Sequence, residues 1–306
     1  MKDNKNKRIA IIGSTSPSGK SIAEELGKTY SLNLTYRQEK RLPEQFKNKK
    51  NIQLLHYDLE NQNYPEMDFF KNCDIVIWTV HIKHASGIKQ IHLNKKAIAS
   101  FLSLLPQTNI RRFIYLSSGG SIYGPPGIAP ISETHPLNPV TPYGITKLEV
   151  EKLLMTFQEQ TGMELAILRP GNIYGEESLT GRSKGIIASY INSSLNNIPF
   201  TIIGNPLNIR DYIYIQDLVK AVKYAVDSPQ KTIIWNVGSG IGHSVSYIMN
   251  YITELIHLKP SVINHEQLTT NEIPVNILNT KRIKQESTWT FSVSLEEGLK
   301  ALLIKK

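Results

Sequence analysis

The amino-acid sequence predicts an α/β fold, with a doubly wound parallel sheet of the Rossmann type and a smaller C-terminal lobe. Short apolar runs alternate with helical stretches through the first half of the 306 residues, as expected for strands joined by crossover helices. A turn rich in Gly and Ser, residues 13–19, links the first run to the first helical stretch. After Arg169 the pattern is less regular and the loops are rich in Gly, Asn and Pro, which indicates the second lobe.

The individual elements follow from local periodicity. Strands are predicted at 8–12, 32–36, 51–57, 74–80, 112–118 and 165–169. Helices are predicted at 19–29, 88–105 and 142–160, with further elements around 185–195, 211–227 and 244–257. The carboxyl ends of parallel strands lie at one edge of a sheet, so the loops after Ile12, Val80, Ser118 and Arg169 should converge there.

The composition is that of an ordinary globular chain, with 40% hydrophobic and 20% charged residues. The apolar runs are far shorter than the roughly 18 residues that a membrane span requires, so none is expected. The first residues, Met1 to Arg8, do not resemble a secretory signal. The single cysteine, Cys73, excludes a disulfide within the chain and fits a cytoplasmic location.

The formal net charge of +9 permits attraction to anionic partners, including the phosphates of a nucleotide. Basic residues are dispersed, apart from one cluster between two predicted strands that comprises Arg37, Lys40, Arg41, Lys47, Lys49 and Lys50. No recognised nucleic-acid module surrounds that cluster, so we expect a solvated loop face and no nucleic-acid partner. His81 and His84 have no Cys or carboxylate cluster beside them, and no metal site is expected.

Tyr143 and Lys147 form the pattern that points most directly to chemistry. On a helix, residues four apart lie on the same face, about one turn apart. A cation close to a phenol favours the phenolate, which can then act as a base near neutral pH. A Ser-rich strand end, residues 117–121, precedes the pair and offers a hydroxyl for the same substrate oxygen. The spacing recurs at Tyr36 and Lys40, but there no serine-rich strand precedes it and a basic loop follows.

The turn after the first strand has the composition of a nucleotide-binding loop. Gly13 and Gly19 permit a tight turn and a close approach to a pyrophosphate, which the N-terminus of the following helix attracts. A Gly-x-x-Gly-x-x-Gly loop would also have Gly at position 16, where this chain has Ser16, a small residue that can donate a hydrogen bond. A plain strand-to-helix turn is the alternative interpretation.

The residues after the second strand bear on the choice between NAD and NADP. An acidic side chain there would accept hydrogen bonds from the adenosine ribose, but the chain has Tyr36 and Arg37. Arginine suits a 2′-phosphate, so NADP is as open as NAD, and a simply exposed Arg37 is the alternative. Asp58 follows the third strand and either accepts from the adenine amino group or caps the next segment.

Taken together, these motifs resemble the extended short-chain dehydrogenase/reductase family, and in particular its NAD-dependent epimerase/dehydratase branch, which acts on nucleotide sugars. Further matches along nearly the whole chain are Leu168-Arg169-Pro170-Gly171-Asn172-Ile173-Tyr174-Gly175, Arg210-Asp211-Tyr212-Ile213-Tyr214-Ile215-Gln216-Asp217-Leu218, Trp235-Asn236-Val237-Gly238-Ser239-Gly240 and the tail Thr288-Trp289 with Ser294-Leu295-Glu296-Glu297-Gly298. Each is weak alone, but their order is specific.

The resemblance implies roles for the catalytic residues. Tyr143 would transfer the proton, and Lys147 would bind the nicotinamide ribose and lower the pKa of Tyr143. The family usually has Ser or Thr four residues before the tyrosine of its Tyr-Gly pair, a position that is Gly119 here. The hydroxyl would then come from Ser118 or Ser121.

The resemblance also implies binding residues. Asn172 and Arg210 would hold the diphosphate of the substrate, with Asp211 orienting Arg210. Lys83 would line the cofactor pocket, although Trp78-Thr79-Val80-His81 departs from the family's usual strand end. We expect residues 1–168, with about 208–237, to form the dinucleotide-binding domain, and 169–207 with 238–306 to form the substrate-binding lobe.

The implied activity is NAD(P)-dependent epimerisation of a nucleoside-diphosphate sugar, most directly at C4 of a UDP-sugar, through a transient keto intermediate. One alternative is an NADPH-dependent 4-keto nucleotide-sugar reductase; another is a dinucleotide-sensing protein without catalysis. A dehydratase is disfavoured because Gly120 and Ser121 stand where that branch has Asp-Glu. Helices 88–105 and 142–160 resemble the pair through which the family dimerises, so a homodimer is expected.

Overall fold

A computed structural model describes residues 7–60, 67–83, 87–125, 127, 129–176, 185–267 and 272–303. The strands are β1 Arg8–Ile12, β2 Ser31–Tyr36, β3 Ile52–His56, β4 Ile75–Trp78, β5 Arg112–Leu116, β6 Glu164–Pro170, β7 Asn172–Tyr174, β8 Phe200–Ile203, β9 Ile209–Tyr214, β10 Thr232–Val237, β11 Gly242–Ser244, β12 Ile263–Glu266 and β13 Val275–Asn276. The helices are α1 Pro17–Leu26, α2 Glu44–Lys47, α3 Met67–Lys71, α4 Gly87–Leu102, α5 Gly119–Ile122, α6 Pro142–Thr161, α7 Ile186–Leu195, α8 Ile215–Asp227, α9 Val245–Ile256, α10 Lys281–Glu286 and α11 Leu295–Leu303.

The central sheet has seven strands in the order β10-β6-β5-β4-β1-β2-β3. The registered pairs of β1 to β6 are all parallel. The chain starts in the middle of the sheet, builds outward through β2 and β3, and then returns to β4 on the other side of β1. This reversal is the doubly wound topology that the alternating pattern predicts, and it confirms the predicted fold class.

The described residues fall into two compact units. The first is drawn from Met1–Ser117, Thr141–Leu168 and Val222–Ile234, and the second from Ser118–Val140, Arg169–Ala221 and Trp235–Lys306. This division assigns 118–140 and 208–221 to the second unit, whereas the sequence analysis assigns both stretches to the first domain. The functional label of each unit stays a prediction.

The core of the first unit is aromatic where α4 covers the sheet. Trp78 of β4 and Phe113 of β5 stack with centroids 6.1 Å apart, and Phe101 of α4 meets Trp78 edge-on at 5.6 Å. Arg112 at the start of β5 is buried and donates to Glu164, Ala225 O and Gln230 O. Its guanidinium therefore joins β5 and β6 to the end of α8.

Helix α6 has clear boundary signals. Thr141 caps its N-terminus by accepting from Gly144 N at 3.1 Å, with Pro142 at the first helical position. Gly162 ends the helix in the left-handed region, at φ 72°. The side chains of Lys95 in α4 and Glu149 in α6 form an ion pair at 3.0 Å. These contacts fix the register of the helix that carries Tyr143 and Lys147.

The second unit is organised around β9, which pairs with β7 and β13 in parallel and with β11 in antiparallel orientation. Strands β8 and β12 form a separate parallel pair. Asp217, fully buried in the first turn of α8, accepts from Ser292 N and Val293 N, while Trp289 Nε1 donates to the Asp217 carbonyl. The C-terminal segment is thereby attached to α8.

No helix among the described residues has both the length and the apolar character that crossing a bilayer requires.

Candidate active site

The first unit brings Tyr143 and Lys147 onto one face of α6. The Lys147 Nζ atom lies 5.6 Å from the centroid of the Tyr143 ring and 4.7 Å from that of Tyr115. It donates a 2.6 Å hydrogen bond to Leu116 O at the end of β5. Lys147 is only 3% exposed. The spacing in the sequence has therefore produced a buried ammonium beside a tyrosine ring, as the helical periodicity predicts.

The burial of Lys147 has an electrostatic cost. Loss of water lowers the pKa of Lys147 to about 7, Glu151 opposes this shift, and Lys83 adds to it. Glu151 lies one further turn along α6 and is 1% exposed. Near neutral pH the charge on Lys147 is thus finely balanced, with a buried carboxylate on the same helix to support it.

His81 contacts the Tyr143 ring directly. The two ring centroids are 4.7 Å apart at an interplanar angle of 81°. Burial lowers the pKa of His81 to about 3, assisted by the charges of Lys147 and Lys83, so the imidazole is neutral. The sequence predicts no metal site at His81 and indicates no role for its side chain. The signal that could have revealed this contact is the altered strand end, which places His81 just past β4.

Buried amides hold the loop that carries His81 and Lys83. Asn94 accepts from Ile82 N at 2.9 Å and donates to Ile82 O at 3.0 Å. Gln90 Nε2 lies 3.3 Å from both Ile82 O and His81 Nε2. Lys83, in the same loop, is exposed.

The turn from β1 into α1 has the geometry of a phosphate loop. Gly13 adopts φ +86°, and a Cβ on Gly19 would collide with the Gly13 carbonyl oxygen. Ser16 caps α1 by accepting from Gly19 N at 3.0 Å, and its hydroxyl lies 3.1 Å from Thr79 Oγ1. A close backbone cradle at a helix N-terminus fits the pyrophosphate of a dinucleotide.

The side chains after β2 are already engaged with one another. Arg37 forms an ion pair with Glu60 at 2.8 Å, and its carbonyl bonds His56 Nε2. The ring of Tyr36 packs edge-on against His56 at 5.7 Å. Asp58 Oδ1 accepts from Glu60 N at 3.0 Å, which is the local turn bond of the capping alternative. A 2′-phosphate would have to compete with Glu60 for Arg37.

In the second unit, Ser118 and Ser121 flank the start of the short helix α5. The Ser118 carbonyl accepts from Ile122 N at 3.1 Å, and the Ser118 side chain makes no cap bond. Between the two serines, a Cβ on Gly119 would lie 2.7 Å from both Arg169 O and Leu278 Cδ1. The packing thus excludes a hydroxyl side chain from the position where the family usually has one.

Asn172 and Arg210 lie on neighbouring strands of the second unit. Asn172 pairs in register with Tyr212, its side chain hydrogen-bonds the Tyr212 phenol, and a Cβ on Gly120 would meet Asn172 Oδ1 at 3.0 Å. Arg210 is mostly buried and donates to Ile209 O at 2.9 Å. Arg210 therefore lies on β9 two residues before Tyr212, the residue that pairs with Asn172.

Asp211 does not bond Arg210 within the part of the chain that is described. Successive strand residues point to opposite faces, and the carboxylate of Asp211 instead accepts from Ser239 N, Gly240 N and Leu278 N. The expectation that Asp211 orients Arg210 is therefore wrong, because its carboxylate is occupied by the loops that carry Ser239 and Leu278. Among the described residues, no group of three or more His, Cys, Asp or Glu could hold a metal ion.

Comparison with known proteins supplies independent evidence. Residues 9–238 match the model of the NAD dependent epimerase/dehydratase family. A Methanocaldococcus jannaschii protein provisionally named UDP-glucose 4-epimerase is 28% identical over 265 residues, covering 84% of this chain and 86% of its own. The dTDP-4-dehydro-6-deoxyglucose reductase of Escherichia coli is 31% identical over 210 residues, covering 69% and 66%.

Among solved structures, the UDP-glucuronic acid 4-epimerase of Bacillus cereus, in complex with UDP-glucuronic acid and NAD, superposes with a TM-score of 0.86 at 20% identity. The match covers 97% of this chain and 98% of that one, and at this identity it establishes the fold. The family match confirms the resemblance stated above and the expectation of a nicotinamide dinucleotide, NAD or NADP.

Proposed function

The chain belongs to the NAD dependent epimerase/dehydratase family, and we propose that it is an enzyme that epimerises C4 of a nucleoside-diphosphate sugar, a UDP-sugar in the first instance. The observation that carries the proposal is the buried Lys147 beside Tyr143. A buried ammonium is costly to keep, and a redox site that uses a tyrosine base gives it a function. The name of the Methanocaldococcus jannaschii relative supports the substrate class.

The residues present fit the cofactor. Gly13, Ser16 and Gly19 would hold the pyrophosphate at the N-terminus of α1, with Tyr36, Arg37 and Asp58 at the adenosine and Lys83 and Lys147 at the nicotinamide ribose. When bound, the nicotinamide supplies a reversible acceptor for the hydride that leaves the sugar carbon. The fit rests on the glycine cradle, which a single Cβ at Gly19 would fill.

The chain's own residues would move the proton and hold the substrate. Tyr143, as phenolate, takes the proton from the sugar hydroxyl while the carbonyl forms, and returns it when the carbonyl is reduced on the other face. Lys147 stabilises the phenolate. Ser118 and Ser121 are the hydroxyls next to the position where the family has its Ser or Thr, and either would add a contact to the same oxygen. Asn172 with Arg210 would bind the diphosphate through charge-assisted hydrogen bonds.

The purified protein, supplied with NAD, should interconvert UDP-glucose and UDP-galactose or their N-acetyl forms, followed by proton NMR of the anomeric signals. The Tyr143→Phe variant should retain cofactor binding and lose turnover. Absence of interconversion with every UDP-sugar and with both NAD and NADP would contradict the proposal.

A second candidate is a reductase of a 4-keto nucleotide sugar, favoured by the 31% identity to the Escherichia coli dTDP-4-dehydro-6-deoxyglucose reductase. The same proton transfer by Tyr143 would then run in one direction only. Stoichiometric consumption of NADPH or NADH by a 4-keto sugar, without interconversion of the UDP-hexoses, would select this candidate over the epimerase.

The assembly and location of the enzyme also belong to the proposal. We expect a homodimer formed through α4 and α6, and a cytoplasmic protein, in keeping with the single buried Cys73. Light scattering at micromolar concentration should give twice the mass of the chain, and a single monomer peak would contradict the dimer.

A further inference from the structure

The second unit lacks the catalytic hydroxyl that the family usually carries. The family's usual hydroxyl stands at the position of Gly119, where a Cβ would lie 2.7 Å from the Arg169 carbonyl and from Leu278. In the family, that hydroxyl is the donor to the reacting oxygen. Ser118 and Ser121 lie one residue before and two residues after this position in the sequence. A hydrogen-bond donor from another part of the chain is therefore a candidate for the same role.

His81 has the properties of such a donor within the first unit. Its ring packs edge-on against the ring of Tyr143, with the centroids 4.7 Å apart, so an imidazole lies against the residue that would take the proton. Asn94 and Gln90, both buried, fix the backbone of the adjoining Ile82. The imidazole is therefore carried on a rigid support at the carboxyl end of β4.

The hydrogen-bond network assigns the tautomer of His81. The Gln90 amide nitrogen lies within bonding distance of Ile82 O and of His81 Nε2, and an amide nitrogen can only donate. His81 Nε2 must accept, so the proton of the neutral ring is on Nδ1. Within the described residues no partner bonds Nδ1. Burial and the positive charges of Lys147 and Lys83 keep the ring neutral, and protonation at Nε2 would break the Gln90 contact.

We infer that His81 is a catalytic residue whose Nδ1–H donates a hydrogen bond to the reacting sugar oxygen, in the role that the family gives to the Ser or Thr missing at Gly119. The inference rests on the proposed function, because that oxygen belongs to the sugar. The donor is strongest where it is needed, since the oxygen gains negative charge as its proton leaves for Tyr143. A neutral donor adds no third cation beside Lys147 and Lys83.

The test compares His81→Ala and His81→Asn with His56→Ala. His56 is the matched control, because its ring also packs edge-on against a tyrosine, Tyr36. His81→Ala should lower kcat by about 10²-fold, as for loss of one oxyanion donor, with KM changed by less than about threefold. His81→Asn, which keeps an N–H donor, should recover most of that loss, and added imidazole should partly restore His81→Ala. A wild-type kcat in His81→Ala, with Tyr143→Phe inactive, would overturn the inference and leave the proposed function standing.

A second measurement does not need turnover. In ¹⁵N-histidine-labelled protein, with His81→Gln for assignment, the His81 signals should show the neutral Nδ1–H form from pH 5.5 to 8. An Nε2–H form, or titration near pH 6.5, would overturn the inference even in a protein that proved inactive on every UDP-sugar. An inactive protein with the predicted Nδ1–H form would overturn the proposed function and with it the catalytic role of His81, and only the assignment of the tautomer would stand.

Discussion

Two tyrosines in this chain are followed four residues later by a lysine, and the structure gives them opposite environments. Tyr143 and Lys147 lie on the continuous helix α6, where the spacing places both on one face. Tyr36 ends β2, and Lys40 lies in a short 3₁₀ turn, Glu39–Arg41, where it is exposed. The Tyr-x-x-x-Lys spacing therefore indicates a catalytic pair only when both residues lie on one helix and the lysine is buried.

The largest effect is expected from neutralising the two lysines in turn. Lys147→Met should lower kcat by 10²-fold to 10⁴-fold, because the phenolate of Tyr143 loses its cation. Lys40→Met should leave kcat within about twofold. Steady-state kinetics on both variants, with cofactor affinity measured by calorimetry, checks the comparison. An equal loss of kcat in the two variants would show that the buried environment of Lys147 does not distinguish its role from that of Lys40.

The pH dependence of stability should separate the same two lysines. The pKa of Lys147 is about 7 in the folded chain and about 10.4 when unfolded, so the unfolded state binds more protons between these values. The free energy of unfolding of the wild type should therefore rise relative to Lys147→Met as pH increases from 7 to 10, by up to roughly 1.4 kcal/mol per pH unit.

Denaturant melts at several pH values measure this slope, and Lys40→Met serves as the comparison at an exposed lysine. A flat difference between wild type and Lys147→Met would mean that the buried ammonium keeps an ordinary pKa.

A smaller effect should follow from the buried carboxylate on α6. Glu151 raises the pKa of Lys147, so Glu151→Gln should move the alkaline limb of the kcat profile to lower pH by about half a unit to one unit. Glu149→Gln is the matched control on the same helix, since Glu149 is paired with Lys95 and Lys152. An alkaline limb unchanged in Glu151→Gln would exclude Lys147 as the group that titrates.

The smallest effect concerns the other tyrosine and its neighbour Arg37. Because Glu60 pairs with Arg37, Glu60→Gln should remove the competing negative charge from the guanidinium and raise the affinity for NADP relative to NAD by a few-fold. Adding Arg37→Ala to that variant should cancel the gain. Calorimetric titration with both dinucleotides measures the ratio of the NADP and NAD affinities. If neither substitution changes this ratio, Arg37 does not contact the adenosine ribose.

Local periodicity was enough to predict most elements of the first unit. The strand predicted at 165–169 is β6, Glu164–Pro170, and the helix predicted at 142–160 is α6, Pro142–Thr161. The element predicted at 211–227 is in fact two, β9 and α8, because Ile215 begins a helix directly after the strand. Alternation and amphipathicity are local properties, and they transfer well from sequence to structure.

The candidate site was less predictable, since its decisive features depend on packing. Nothing in the residue order indicates that Lys147 loses nearly all its contact with water, or that His81 meets the Tyr143 ring. Gly119 was recognised as a departure from the family, but its cause, the close approach of Leu278, arises 159 residues later in the chain.

That approach means that position 119 cannot be altered independently of its surroundings. Restoring a serine at Gly119 by one substitution would force its Cβ against a backbone carbonyl and the Leu278 side chain, and shortening Leu278 would relieve only one of the two collisions. A hydroxyl at position 119 therefore requires a shift of the backbone at Arg169 as well as a change at Leu278.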